Sequence, residues 1–141
     1  MINSEKISKS KYSFPEEKNK REYGSLGEII AYDYLIKNNF KILKQNYRYG
    51  RLGEIDIIAL ENEYVCFIEV KTRSSTLFGT PAEAVNYKKQ NKIKKLAQIF
   101  LKENNLSDKP LRFDILEIIL EYNKYRRSNK VKYINLIRNA F

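Results

Sequence analysis

The chain of 141 residues contains no histidine, which excludes Ser-His-Asp hydrolysis, Cys-His catalysis and histidine zinc sites at once. It has one cysteine, Cys66. A lone thiol closes no disulfide within the chain, and its place inside an apolar run suits a small buried side chain better than reactivity. Long apolar stretches are missing too: the runs are a few residues each, against the roughly 20 a helix needs to cross a bilayer. The opening stretch "MINSEKISKSKYSFPEEKNKRE" lacks the apolar segment of a secretory signal. The expectation is a cytoplasmic protein with no membrane partner and, at this length, one domain around one core.

What is abundant is positive charge. Lys plus Arg number 27 against 17 Asp plus Glu, a net +10, and such an excess attracts polyanions such as nucleic acid or an anionic membrane surface. A lysine-rich solvated surface would give the same count. Residues 1–20 are polar and basic with few aliphatics, which predicts a flexible N-terminal arm ahead of a domain spanning 21–141.

The spacing predicts a helix from about Glu22 to Asn38, with Gly27, Ala31 and Leu35 on one stripe small enough to approach a sheet. Glu28 borders that stripe. "FKILKQNYRYG" reads as a strand, then "EIDIIAL" and "YVCFIEVKT" as an antiparallel hairpin around "ENE". Thr80, Pro81 and Glu83 fit a helix-capping box. From Tyr87 to Asn104, Ile93, Leu96, Ala97, Phe100 and Leu101 gather on one helical face, with Lys88, Lys92 and Lys95 opposite. "LRFDILEIILEY" and "KVKYINLIRNAF" read as a closing pair of strands. The order predicts an α/β or α+β sandwich: a central mixed β-sheet flanked by helices.

The hairpin carries the chemistry. Alternation puts Glu69 and Lys71 on one strand face with Val65 and Phe67, and sets Glu54, Asp56 and Ile58 together on the neighbouring strand. A turn at Glu61 and Asn62 would set Glu54 against Glu69. A loop from Glu61 to Tyr64 would set Asp56 against Glu69; either keeps the charges on one side, and only a three-residue loop without a bulge would separate them. Like charges ~4 Å apart cost about 4 kcal/mol at an effective dielectric near 20, so such a cluster calls for a cation. Lys71 supplies one charge, and a hard divalent ion suits the rest. The same spacing also fits a solvated hairpin end, where Glu and Lys pair across a wet face.

"GEIDII" followed by "FIEVKTR", with "GSLGEIIA" and "NYRYG" upstream and "RFDILEI" downstream, resembles the YraN-like family of bacterial proteins, from about Tyr23 to Phe141. That family is similar to the restriction-endonuclease-like superfamily, with its PD-(D/E)xK pattern, and to archaeal Holliday junction resolvases. The resemblance implies a restriction-endonuclease-like fold and a nuclease site in which Asp56 is the first acid, Glu69 the second and Lys71 the lysine. Glu28 matches the helix glutamate of resolvase-like members, and Ile55 stands at the motif's proline. By the same resemblance Asp56, Glu69 and the Val70 carbonyl would ligate Mg2+ or Mn2+, while Arg48 would meet phosphate. Glu54 matches "GEID" and would either join the metal site or pair near Lys71. Arg73 and the row Lys88, Lys92 and Lys95 would contact the nucleic-acid backbone, or be ordinary solvated cations.

The function implied is a magnesium-dependent endonuclease hydrolysing phosphodiester bonds of DNA, including branched, Holliday-junction-like DNA. Paired cuts on a junction need two active sites, which suits a homodimer. The alternative is a non-catalytic nucleic-acid-binding module of the same fold.

Overall fold

The computed structural model describes residues 2–6, 14–15, 20–74 and 85–141, with side chains from residue 26 onward in α1 and beyond. The elements are β1 (Ile2–Lys6), β2 (Phe14–Pro15), α1 (Lys20–Lys37), β3 (Lys41–Arg48), β4 (Glu54–Glu61), β5 (Tyr64–Arg73), α2 (Tyr87–Glu103), β6 (Leu111–Asn123) and β7 (Ser128–Ile137). Among the described residues they form one seven-stranded sheet, ordered β1-β7-β6-β5-β4-β3, with β2 also paired to β7. Only β5 and β6 run parallel; the remaining pairs are antiparallel. A parallel neighbour requires a crossover, which residues 74–110 supply by way of α2. The result is the mixed α/β architecture expected from the element order. Residues 2–6, read from the sequence as part of an arm, lie along β7, with Ile2 opposite Ile137. The candidate capping residues Thr80, Pro81 and Glu83 fall outside the described residues.

Each helix covers one sheet face. Ile30, Ala31, Tyr34 and Leu35 of α1 pack on Ile57, Ala59, Cys66, Ile68, Leu116 and Ile118. Cys66 is fully buried, in keeping with its apolar run. On the other face Ile93, Leu96, Ala97, Phe100 and Leu101 of α2 meet Ile55, Ile58, Val65, Phe67 and Ile115. These are the five residues that helical periodicity selects, and burying an aliphatic or aromatic side chain contributes about 1.5–3 kcal/mol each.

Helix ends are set by asparagines. Asn39 is left-handed (φ 66), and Phe40 N–H donates to Leu35 O at 2.9 Å, a Schellman closure that turns Phe40 back onto the core. At the start of α2, Asn86 Oδ1 accepts the Lys89 N–H at 2.9 Å, an N-cap that fixes the first helical turn.

The β4–β5 hairpin turns at Asn62 and Glu63, between the closing pair Glu61 and Tyr64, and sets Ile57 opposite Ile68. This register, one of the two anticipated, brings Asp56 level with Glu69 when continued along the strands. Strict alternation, however, breaks at Asp56: Ile55 packs on the α2 side and Ile57 on the α1 side. Glu54, Asp56 and Ile58 therefore do not line one uniform face. A matching break occurs on β3, where Asn46 is left-handed (φ 53).

At the far end of the sheet a charged cluster ties the hairpin turn to the C-terminal strand. Arg138 donates to both Glu61 oxygens at 2.8 and 2.6 Å. Arg112 Nε donates to the two oxygens of the fully buried Asp114 at 2.9 and 3.0 Å. Arg112 Nη2 lies 3.0 Å from Glu61 Oε1, close enough for charge attraction but outside hydrogen-bond geometry.

Candidate functional site

The hairpin ladder ends at Ile57 and Ile68, and beyond it the strands are bridged by a side chain. Val70 N–H donates to Asp56 Oδ2 at 2.8 Å. This bond orients the Asp56 carboxylate and uses one of its acceptor sites.

Helix α1 delivers a second acid from above. A Cβ built on Gly27 would lie 1.9 Å from Thr72 Oγ1, so the missing side chain is what lets this turn of α1 seat on β5. The next residue, Glu28, consequently reaches the hairpin. Oxygen atoms of Glu28, Glu54 and Asp56 all lie within 4.8 Å of one another. Glu54, whose role two sequence readings left open, therefore stands inside the acidic group, and it also binds Arg48.

Glu69 is arranged differently. Its side chain is only 6% exposed, and its Oε1 is held by Lys89 Nζ at 2.5 Å and approached by Lys71 Nζ at 3.8 Å. The acids and lysines thus divide into an acid-rich half around Asp56, with Glu28 and Glu54, and a cation-rich half around Glu69, with Lys71 and Lys89.

Protonation follows from that division. Burial, then the charge of Glu69, pushes the Asp56 carboxyl up to about 7 despite the Val70 hydrogen bond. Burial and the neighbouring Glu54 raise Glu28 above the ordinary glutamate range. Burial, reinforced by the ammonium of Lys89, lowers Lys71. For Lys89 burial works against the charge but is outweighed by the Glu69 hydrogen bond and charge, so its net shift is upward. The lysine charge that reaches Asp56, from Lys89, lowers its carboxyl less than burial and Glu69 raise it.

The remaining candidates lie around this centre. A cleft of about 370 Å³ between the β3–β4 turn and α2 is lined by Gly53, Glu54, Asn86, Lys88, Lys89, Lys92, Ile93 and Leu96. Lys88 and Lys92 thus share a cleft with Glu54, one member of the acidic group. Lys95 instead borders a separate depression with Asn91, Lys94, Gln98 and Phe113. Arg73 closes β5 beside Glu117, a buried carboxyl that burial raises and that Arg73 and Asn135 partly restore.

Sequence pattern did not single out Lys89. The signal was nonetheless present: it lies four residues before Ile93 and seven before Leu96, so it extends the buried stripe of α2 rather than the wet row of Lys88 and Lys92.

Fold and site together define a mixed α/β protein with a mixed-charge centre at the open end of a hairpin, and no helix among the described residues is long and apolar enough to cross a membrane. The chain belongs to the uncharacterised protein family UPF0102, whose model matches residues 27–118. It is 52% identical over 123 residues to a UPF0102 protein of Acetivibrio thermocellus, covering 87% of this chain and 93% of that one. A UPF0102 protein of Caldicellulosiruptor bescii is 48% identical over 124 residues, covering 87% of this chain and 99% of its own length. The matched region contains Glu28, Asp56, Glu69, Lys71 and Lys89.

Proposed function

We propose that this chain is a metal-dependent endonuclease of the restriction-endonuclease-like fold, hydrolysing phosphodiester bonds in DNA. Mg2+ or Mn2+ is the cofactor, and branched, Holliday-junction-like DNA is the substrate class that the resemblance favours. The observation that carries the reading is Asp56, pinned by the Val70 N–H at 2.8 Å where the hairpin opens, with Glu28 and Glu54 oxygens within 4.8 Å.

The donor set fits a hard divalent ion. Glu28, Glu54, Asp56 and Glu69 offer carboxylate oxygen alone, without the thiolate or imidazole that would favour softer metals. When bound, such an ion polarises a phosphate oxygen and makes water nucleophilic near neutral pH. The protein's own groups do the positioning. Asp56 and Glu28 hold the ion's side of the site, and the Val70 amide keeps Asp56 from rotating. Lys71, next to Glu69 and lowered by burial, orients the attacking water or donates to the phosphate oxygens as charge develops. With no histidine in the chain, lysine and carboxylate are the proton-handling groups at hand. Lys88 and Lys92 hold the backbone of the strand in the cleft.

The test is incubation of the protein with a labelled four-way junction and with matched linear single and double strands, in magnesium, in manganese and in chelator, beside Glu69→Ala. Metal-dependent cutting that disappears in the variant is the expected result. Binding without cutting, equal in both proteins, would overturn the enzyme reading in favour of a non-catalytic nucleic-acid-binding module.

A further inference from the structure

Glu69 and Asp56 stand level on neighbouring strands, yet their surroundings are opposite. Glu69 has two ammonium groups, Lys89 at 2.5 Å and Lys71 at 3.8 Å. Asp56 has a backbone amide and two further acids. A carboxylate as buried as Glu69 requires a charged partner, and Lys71 is within ion-pair range. Lys89 is thus a second cation on an acid that already has one, beside Asp56 and Glu28, while the third acid, Glu54, is paired with Arg48.

We propose that Lys89 is a displaceable internal cation: it holds Glu69 while the acidic site is free of metal, releases it when a divalent ion binds, and then presents its ammonium to a phosphate in the adjoining cleft. The inference rests on the metal-site reading above and adds to it a mechanism coupling metal binding to nucleic-acid binding.

Three features of the structure permit the exchange. First, the backbone of Lys89 is clamped by Asn86, so only the flexible four-carbon side chain has to move. Second, that side chain is 40% exposed while Glu69 is 6% exposed, so the lysine has somewhere to go and the carboxylate does not. Third, the space it opens onto is the cleft shared with Lys88, Lys92 and Glu54, where a third ammonium beside two others favours an anion. A divalent ion recruited by Asp56 and Glu69 would repel the nearby ammonium, which supplies the driving force. Exchange of this kind is reciprocal: an internal cation that competes with the metal weakens metal binding in the free protein, and its release strengthens phosphate binding in the loaded one.

The test begins with calorimetric titration of Mn2+ into wild type, Lys89→Met, Lys89→Gln, Lys94→Met and Glu69→Gln at one ionic strength, without DNA, each protein first checked by thermal melting. Both Lys89 variants are expected to bind Mn2+ about tenfold more tightly than wild type, within the usual range of coupling energies, and Lys94→Met, in the separate depression, within about twofold of it. Anisotropy of a labelled duplex, read within seconds of mixing, should then show a large gain in DNA affinity from Mn2+ in wild type and a gain at least about fivefold smaller in Lys89→Met. Unchanged Mn2+ affinity in both Lys89 variants, with Glu69→Gln weakened, would overturn the exchange and leave the metal site standing. Equal Mn2+ binding by wild type and Glu69→Gln would overturn both.

Discussion

Val70 N–H donates to Asp56 Oδ2 at 2.8 Å across the mouth of the β4–β5 hairpin, so a side chain occupies the position where the next ladder bond would form. The hairpin is opened by the residue that the proposed chemistry needs, and structural and chemical roles of Asp56 can be separated by substitution. Asp56→Asn keeps an acceptor for Val70 and removes the charge. It is expected to melt within a few degrees of wild type while cutting falls by at least about a hundredfold, measured by thermal unfolding and by single-turnover cleavage. A loss of fold instead would show the carboxylate to be structural.

Metal binding should depend on pH. Because burial and Glu69 raise the metal-free Asp56 carboxyl to about 7, a proton occupies it below that value and has to leave when the ion enters. Mn2+ affinity should therefore fall by about tenfold per pH unit on the acid side and level off above it. A titration series from pH 5.5 to 8.5 checks this, and a flat profile would contradict the coupling.

Gly27 is the contact through which α1 reaches the site. Gly27→Ala would set a methyl carbon 1.9 Å from Thr72 Oγ1, so the helix or the threonine has to shift. A loss of about 1–3 kcal/mol is expected from overpacking, together with weaker Mn2+ binding as Glu28 withdraws. The double variant Gly27→Ala with Thr72→Ala should recover much of both, read by denaturant unfolding and calorimetry.

The Glu61 cluster offers a pH prediction remote from the site. The Arg138 hydrogen bonds lower Glu61 from its ordinary 4.5, against the opposing effect of its burial. The ionised form is favoured by folding, so its contribution is present above about 4.5 and is lost as pH falls through the lowered folded value. Glu61→Gln should cost about 1–3 kcal/mol near neutral pH, and the gap to wild type should close in acid. A gap of constant size across pH would assign the effect to packing instead.

Charge reversal of the α2 row distinguishes its members. Lys88 and Lys92 line the cleft with Glu54 and Lys89, while Lys95 faces a separate depression. Lys88→Glu with Lys92→Glu should weaken binding uniformly across DNA sequences and lower the salt slope by roughly one per lost phosphate contact. Lys95→Glu alone should change it less.

The amino-acid sequence was sufficient for both helices, five of the strands and the core, while β1 and β2 fall in the segment read as an arm. Period 3.6 identified the five buried residues of α2, and alternation placed Val65 and Phe67 opposite Cys66 and Ile68, because burial selects apolar side chains at those spacings whatever the surroundings. Glu54, Asp56, Glu69 and Lys71 were visible as charge at the end of an apolar hairpin, a local pattern, and Glu28 by its place beside the small-residue stripe of α1 and by the resemblance. Tertiary structure alone decided how these groups are divided. The break in alternation at Asp56 follows from how far the strands diverge, the arrival of Glu28 from how closely Gly27 packs on Thr72, and the capture of Glu69 by Lys89 from where α2 crosses the sheet. Each is a distance between segments far apart in the chain, and periodicity within one segment does not encode it.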